Sequence, residues 1–198
     1  MKTITIGCWE NDQSPLTSSS DYPLMTKNVL LLYDLTSFKT DMKSAVFYKD
    51  GRCILTSRTT RALFSDLEMQ FGMSYAQSKA ITQLLTRIST KVPYAINELL
   101  YFEIKDKASS HSHWCAFHHL TQTIQENRQT SLILSNYLQI ILPYCQKQLN
   151  INLQPIASFS MLMKLLLVPS LITLCTLPLK HNEAEKSLAF HSINPQNF

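Results

Sequence analysis

Lysine and arginine are concentrated in one stretch of the sequence, residues 49–91. That stretch holds seven cations against three acids, so its formal charge of +4 equals that of the whole 198-residue chain. The planar fork of arginine forms two-point contacts with phosphate and fits narrow DNA minor grooves. These residues predict a nucleic-acid interface: Arg52, Arg58, Arg61, Lys79, Arg87 and Lys91. The alternative is a solvated helix face with ordinary ion pairs.

Four histidines crowd nine positions, and neutral imidazoles are common zinc ligands. On a strand, His111 and His113 share one face, whereas His118 and His119 point to opposite faces. No cysteine or carboxylate supplies a convincing further ligand. Cys115 lies inside this cluster and could be a nucleophile with a histidine as base, but the pattern favours a buried, inert thiol. We therefore predict no metal site and no catalytic residue.

Glycine and cysteine usage exclude two further classes of protein. The three glycines, Gly7, Gly51 and Gly72, are too scattered to form a phosphate-binding loop. The five cysteines are odd in number and include no close pair, which argues against a disulfide framework or a CxxC site. Glu10 and Asp12 interrupt the region where a signal peptide needs an apolar core. We expect a cytoplasmic protein without a cofactor.

The elements that would position the cations follow from hydrophobic periodicity. An apolar run from Asn28 predicts a strand, and KSAVFY followed by KDG and RCILTS predicts a hairpin. Residues 61–71 carry apolar side chains at helical spacing, and Ser74 is predicted to cap a second helix. The apolar residues that recur on one face of this second helix are Tyr75, Ala76, Ala80, Ile81, Leu84 and Leu85.

Beyond Pro93, short aromatic or β-branched runs begin at Glu98, His113 and Ser131 and predict antiparallel strands. Residues 138–142 predict another strand, and Pro143 leads into terminal helices. The fold class is therefore α+β, with antiparallel strands and hairpins, a central helical pair and C-terminal helices. We expect three segments: a short strand and loose lead-in over 1–22, a domain over 23–168, and a partly extended or disordered tail over 169–198.

Residues 159–179 form the most apolar stretch and are long enough to be considered as a membrane span. Lys164, Pro169 and Pro178 argue against a lone span, because a charge and a central proline are costly in a bilayer. We expect a buried helix that ends before Pro169. A membrane-associated or protein-interaction module built on this segment is the alternative function, and a zinc-dependent enzyme is the third.

The centre of the chain carries a linear series of motifs. FGMSYAQSKA from Phe71 is followed by TRISTKVP from Thr86, an apolar run over 99–104, and Trp114 with His119 five residues later. In order and spacing this series resembles the ComK competence transcription factor family. The resemblance covers roughly residues 28–165, and the VFYKDG hairpin supports it.

The resemblance implies a cytoplasmic activator of genes for DNA uptake and recombination, with no enzyme activity. It also implies cooperative, oligomeric binding to AT-rich boxes through the minor groove, where narrow A-tracts attract arginine. RNA polymerase and an adaptor of the Clp protease are partners by analogy with the family, although no adaptor-binding motif is recognisable after residue 165. We expect no membrane partner.

Two departures from the family pattern concern charge. Where the family commonly has Gly-Arg before the matching lysine, this chain has Gln77-Ser78, so Lys79 alone carries over. The segment 156–167 bears only Lys164, unlike family members with a basic C-terminal helix.

Within the interface we expect Arg58 or Arg61 to read the groove and Lys79 and Lys91 to contact phosphates. For one patch to form, the hairpin and the second helix must converge.

Overall fold

The computed structural model describes residues 2–9, 17–87, 92–96, 99–105, 112–126, 129–136 and 138–166. The chain divides into two units, Met1–Leu162 and Met163–Phe198. Of the second unit, the description covers only the helical backbone of residues 163–166. Lys91, His111 and the tail expected over 169–198 lie outside the described residues.

Seven of the strands form one sheet. They are β2 (Thr17–Ser19), β3 (Val29–Asp34), β4 (Ser44–Tyr48), β5 (Cys53–Thr56), β6 (Tyr94–Ile96), β7 (Leu99–Lys105) and β8 (Ser112–Ala116). Their order is β2-β5-β4-β3-β8-β7-β6, and every neighbouring pair is antiparallel except β2 with β5. The predicted β4–β5 hairpin is confirmed. All residues of β3 and β4 are buried, including the polar residues Asp34 and Ser44 at their ends.

Four further strands form a second, smaller sheet. They are β1 (Thr3–Thr5), β9 (Leu120–Glu126), β10 (Gln129–Leu134) and β11 (Gln139–Leu142), in the order β1-β11-β10-β9. β1 lies parallel to β11, and the other pairs are antiparallel. A 3₁₀ turn, Phe117–His119, separates β8 of the large sheet from β9 of the small one.

The first helix, α1 (Thr60–Phe71), begins where the Thr59 side chain accepts the Ala62 N–H and ends at Gly72, whose φ of 64° is left-handed. Glycine adopts that conformation without the steric penalty of a side chain. Leu63, Phe64 and Leu67 are buried on the inner face of α1. Burying each of these side chains stabilises the fold by about 1.5–3 kcal/mol.

The second helix, α2 (Tyr75–Thr86), begins at the predicted cap, Ser74, which forms a capping box with Gln77. Its packed side differs from the apolar face that the periodicity indicates. Ser78 and Thr82 are buried, and Tyr75 is half-buried. The outward-facing residues, called the outer face of α2 below, are Ala76, Ala80, Ile81 and Leu84. The physical reason is that Ser78 bonds to β6, as described below.

The third helix, α3 (Gln146–Leu166), confirms the predicted helix after Pro143. Leu149, Ile156 and Phe159 are buried along one side of α3, whereas Met161 is exposed. Within the described residues, no helix combines the length and apolar character that a transmembrane span requires. Both sheets and the three helices together confirm the α+β class.

Candidate nucleic-acid interface

Arg58 lies between β5 and α1 and is held by an acid of that helix. Both Nη atoms donate to the Asp66 carboxylate, with Nη2 to Oδ1 at 2.7 Å, and Nη2 also donates to the Ala62 carbonyl at 3.3 Å. The guanidinium carbon lies 5.5 Å from the ring centroid of Tyr22. Hydrogen bonding to Asp66 raises the pKa of Arg58 above its ordinary value. Arg58 therefore fixes the start of α1 and has few free donors for DNA.

Arg61 projects from the first turn of α1 and stays open to solvent. Its side chain is 66% exposed, and its nearest acid contact is Nη2 to Glu68 Oε1 at 3.8 Å. The guanidinium carbon lies 5.7 Å from the ring centroid of Tyr75, the first residue of α2. A long, exposed ion pair contributes at most about 1 kcal/mol, so Arg61 can exchange it for a phosphate at little cost.

Tyr75 is the side chain that joins the two helices to the sheet. Its ring stacks on Tyr94 of β6 with centroids 5.1 Å apart and planes 8° from parallel, and it meets Trp114 edge-on. Its backbone N–H donates to Glu68 Oε1 at 3.0 Å, which ties α1 to the positive end of α2. Burial and the nearby Glu103 raise the pKa of Tyr75, so the phenol stays neutral. Sequence analysis did not identify this role.

Lys79 and Arg87 lie along α2. Lys79 is half-buried and follows Tyr75 by four residues, so the two share a side of the helix. Arg87 is exposed at the end of α2, with a left-handed φ of 57° and its N–H bonded to the Gln83 carbonyl. Among the described residues neither cation forms an ion pair. Their separation of eight positions corresponds to about 12 Å of helix.

Arg52 lies apart from these cations, in the β4–β5 turn. Its Nε donates to Asp50 Oδ2 at 2.7 Å, and its guanidinium carbon lies 5.1 Å from the Tyr48 ring. The Arg52 backbone N–H lowers the pKa of Asp50, which strengthens the pair. Arg52 precedes β5 and Arg58 follows it, and β5 is about 13 Å long at 3.3 Å per residue. The structure thus places Arg61 against Tyr75, four residues before Lys79 on α2, whereas Arg58 contacts Asp66 and Tyr22 and Arg52 contacts Asp50 and Tyr48.

A comparison with known families identifies the family of this chain. The family model described as ComK protein matches residues 20–165. The chain belongs to the ComK family. Its function is therefore that of a competence transcription factor, and the family is not one of enzymes. No curated protein and no solved structure matches the chain.

Ser78, where this ComK family member departs from the expected pattern, makes a structural contact. Ser78 is only 2% exposed, its Oγ donates to the Ala95 carbonyl, and the Ala95 N–H donates back to Oγ at 3.1 Å. Ala95 is the middle residue of β6, the last strand of the large sheet. The Ser78 hydroxyl thus forms hydrogen bonds with the backbone N–H and carbonyl of an edge strand. The neighbouring residue, Lys79, is the cation at this place on α2.

The described histidines of the cluster contact the protein's own backbone and side chains. His118 and His119 lie in the 3₁₀ turn, and the Nε2 atoms of both contact the Lys27 carbonyl, so the prediction that they point to opposite faces is wrong. A 3₁₀ turn does not alternate its side chains as a strand does. The described residues contain no group of three or more His, Cys, Asp or Glu that could hold a metal ion.

Cys115, the candidate nucleophile, is completely buried in β8. Its burial raises the pKa of the thiol far above the ordinary value, which keeps it protonated. A protonated, inaccessible thiol is a poor nucleophile. The buried-thiol interpretation is therefore confirmed.

Proposed function

We propose that this protein activates competence genes by binding AT-rich duplex DNA through the surface formed by Arg61, Lys79 and Arg87, called the helix-pair surface below. The observation that carries the proposal is the contact of the Arg61 guanidinium with Tyr75, the residue four positions before Lys79 on α2. These cations neutralise phosphates, and the counterions released from DNA supply the binding free energy.

The six predicted cations divide by role. Arg61 is the groove-reading arginine, because Arg58 is already engaged with Asp66 and Ala62. A narrow AT-rich minor groove concentrates negative potential and favours an exposed guanidinium there. Lys79 and Arg87 contact phosphates, and Arg58 positions α1. Arg52 contacts the DNA phosphate backbone at a separate place. Lys91 remains a proposed phosphate contact outside the described residues.

Activation in this proposal takes place in the cytoplasm, with several copies of the chain binding one promoter and meeting RNA polymerase there. The basis is membership of the ComK family, together with paired AT-rich boxes as the sites that the family resemblance implies. Regulated degradation through a Clp adaptor remains an analogy with the family and has no residue attached to it in this chain.

The proposal is tested by gel-shift titration with an AT-rich and a GC-rich duplex over a series of salt concentrations. Arg61→Ala should weaken binding and reduce the preference for the AT-rich duplex, by about 1–3 kcal/mol for a groove-inserted arginine. Lys79→Ala and Arg87→Ala should weaken binding to both duplexes equally. Each should lower the log–log salt slope by about 0.9.

Lys147→Ala is the matched control, because Lys147 is an exposed cation on a different helix, α3. It should leave both affinity and salt slope unchanged. If the triple variant of Arg61, Lys79 and Arg87 folds and keeps the wild-type affinity and slope, the proposed interface is wrong. Equal wild-type affinity for the two duplexes would contradict AT preference.

A further inference from the structure

A cavity lies where the first turn of α1 meets the large sheet. Its volume is about 380 Å³, within the range of small-molecule sites. Walls that are mostly apolar, with a few placed polar groups, are typical of such sites. The lining of this cavity includes four aromatic rings and two groups of opposite charge: Phe64, Tyr75, Tyr94, Trp114, Asp34 and Arg61.

Asp34, the last residue of β3, carries a carboxylate that is buried without an ion pair. Its exposed fraction is 3%, and among the described residues it pairs with no cation. Oδ1 accepts the Thr36 N–H at 2.9 Å and the Thr36 hydroxyl, whereas Oδ2 accepts no hydrogen bond from the described residues. A buried carboxylate is costly unless a positive group compensates it. Because Asp34 lines the cavity, a cationic group bound there would supply that compensation.

Arg61 provides the opposite charge on the same cavity. Its side chain is 66% exposed, and its contact with Glu68 is 3.8 Å long. The cap residue Thr59 also lines the cavity, so the positive end of the α1 dipole lies there as well. Within the part of the chain that the structure describes, Asp34 and Arg61 share the cavity without pairing. Opposite charges held apart in this way fit a ligand that carries both charges itself.

The aromatic rings of the cavity hold one another in place. Tyr75 and Tyr94 stack with centroids 5.1 Å apart, and the Trp114 ring meets both edge-on at 6.4 Å. Phe64 meets Trp114 edge-on at 5.0 Å. Aromatic rings prefer offset and edge-on contacts, so an aromatic ligand side chain can join this cluster in the same manner. Rings that are already ordered lose little entropy on binding.

We propose that this cavity binds a free α-amino acid with an aromatic side chain. Asp34 pairs with the α-ammonium group, Arg61 pairs with the α-carboxylate, and the rings of Tyr75 and Trp114 contact the side chain of the ligand. A peptide end offers only one of these two charges, so the ligand is the free amino acid. The inference does not rest on DNA binding. Because the site shares Arg61 with the helix-pair surface, the experiments are done without DNA.

The first experiment titrates the protein with L-phenylalanine in a calorimeter and compares three analogues that each lack one group. Phenethylamine lacks the carboxylate, 3-phenylpropionate lacks the ammonium group, and alanine lacks the ring. Hydrogen bonding to a charged group strengthens binding by about tenfold or more, so both charge-deficient analogues should bind more weakly than phenylalanine by that factor. Alanine should also bind more weakly, because it buries less apolar surface.

Two variants assign the charges to residues. Asp34→Asn keeps an acceptor for Thr36 and removes the charge, so phenylalanine should lose its advantage over 3-phenylpropionate. Arg61→Ala should remove the advantage over phenethylamine and keep the advantage over 3-phenylpropionate. Asp41→Asn, at an exposed acid in the same connection between β3 and β4, is the control and should keep all the wild-type ratios. Thermal unfolding checks that each variant folds.

Tryptophan fluorescence locates the bound ligand. The chain has two tryptophans, Trp9 and Trp114, so Trp9→Phe leaves Trp114 as the single reporter in the cavity. L-Phenylalanine should change this fluorescence with the dissociation constant that calorimetry gives. A ligand that binds with no change in Trp114 fluorescence lies elsewhere, and the inference is then wrong.

Other results would also overturn the inference. It fails if L-phenylalanine shows no saturable binding, or if either charge-deficient analogue binds as tightly as phenylalanine. It fails as well if Asp34→Asn weakens the binding of all four ligands equally, because Asp34 would then act only on the fold. If Asp34→Asn does not fold, the wild-type order of the four ligands and the Trp114 signal decide the question.

Discussion

Replacing Ser78 by alanine tests how α2 is attached to the large sheet. The serine hydroxyl exchanges two hydrogen bonds with Ala95, donating to its carbonyl and accepting its N–H at 3.1 Å. Alanine removes both bonds and changes the volume of the side chain very little. Ala95 then keeps an N–H and a carbonyl that face a buried methyl group, without a partner from α2.

The expected loss of stability follows from these two bonds. A typical intramolecular hydrogen bond contributes about 1 kcal/mol net, so the pair contributes about 2 kcal/mol. Alanine has the higher helix propensity, which returns about 0.5 kcal/mol. The free energy of unfolding should therefore fall by about 1.5 kcal/mol, which lowers the thermal midpoint by about 3–6 °C for a protein of this size.

Equilibrium unfolding in urea measures this difference, and Ser158→Ala is the matched control. Ser158 is an exposed serine within α3 whose hydroxyl donates to the Gln154 carbonyl one turn earlier. Replacing it removes a local bond and no contact between elements, so stability should stay equal or rise by about 0.5 kcal/mol. Amide hydrogen exchange adds a local readout: in Ser78→Ala, α2 amides should exchange faster while α1 amides do not.

The reasoning is refuted if Ser78→Ala is as stable as Ser158→Ala, since α2 would then be held by other contacts. An equal increase of exchange in α1 and α2 would also contradict it, because it would indicate global destabilisation. A faster exchange confined to α2, together with weaker DNA binding, would show that the Ser78 contact positions the helix-pair surface.

Two further predictions concern stability. A double-mutant cycle with Arg58→Ala and Asp66→Ala, measured by urea unfolding, should give a coupling free energy of about 1–2 kcal/mol. This value lies between those for exposed and buried ion pairs. A coupling near zero would contradict a structural role for Arg58. Burial raises the pKa of Tyr48 from 10.0 to about 12, so the folded state favours the neutral phenol, whose hydroxyl donates to the Leu24 carbonyl at 2.9 Å. The stability that this pKa shift contributes is complete below pH 10 and is lost as pH rises towards about 12. Tyr48→Phe should therefore lose less stability than wild type over that interval. Equal losses in the two proteins would contradict the pKa shift.

Local sequence signals predicted much of the helical pair and the hairpin. Ser74 is the predicted cap of α2, and with Gln77 at the third helical position it forms a capping box, since both partners lie within four residues. The hairpin turn around Gly51 is equally local, with Gly51 at a φ of 89°. Signals of this kind depend on neighbouring residues alone, so the rest of the fold does not override them.

Contacts between distant segments could not be predicted in the same way. β1 pairs in parallel with β11, more than 130 residues later, and β2 lies in a segment expected to be a loose lead-in. β9 was not predicted, because its TQTIQE core is polar and lies at a sheet edge. The Arg58–Asp66 pair joins a loop to a helix interior, and its only sequence signal is the presence of an acid eight residues after the arginine.

The outer face of α2 shows why hydrophobic periodicity misled here and why that error bears on function. Periodicity finds an apolar face but does not say whether protein or a partner covers it. In this chain a serine and a tyrosine attach the helix to β6. An aliphatic face remains exposed, and the helix carries no acidic residue beside its cations. A helix attached only for stability would gain by burying Ile81 and Leu84, about 1.5–3 kcal/mol for each side chain. The exposure of these residues is therefore a cost to the isolated protein, and a partner that covered the outer face of α2 would offset it.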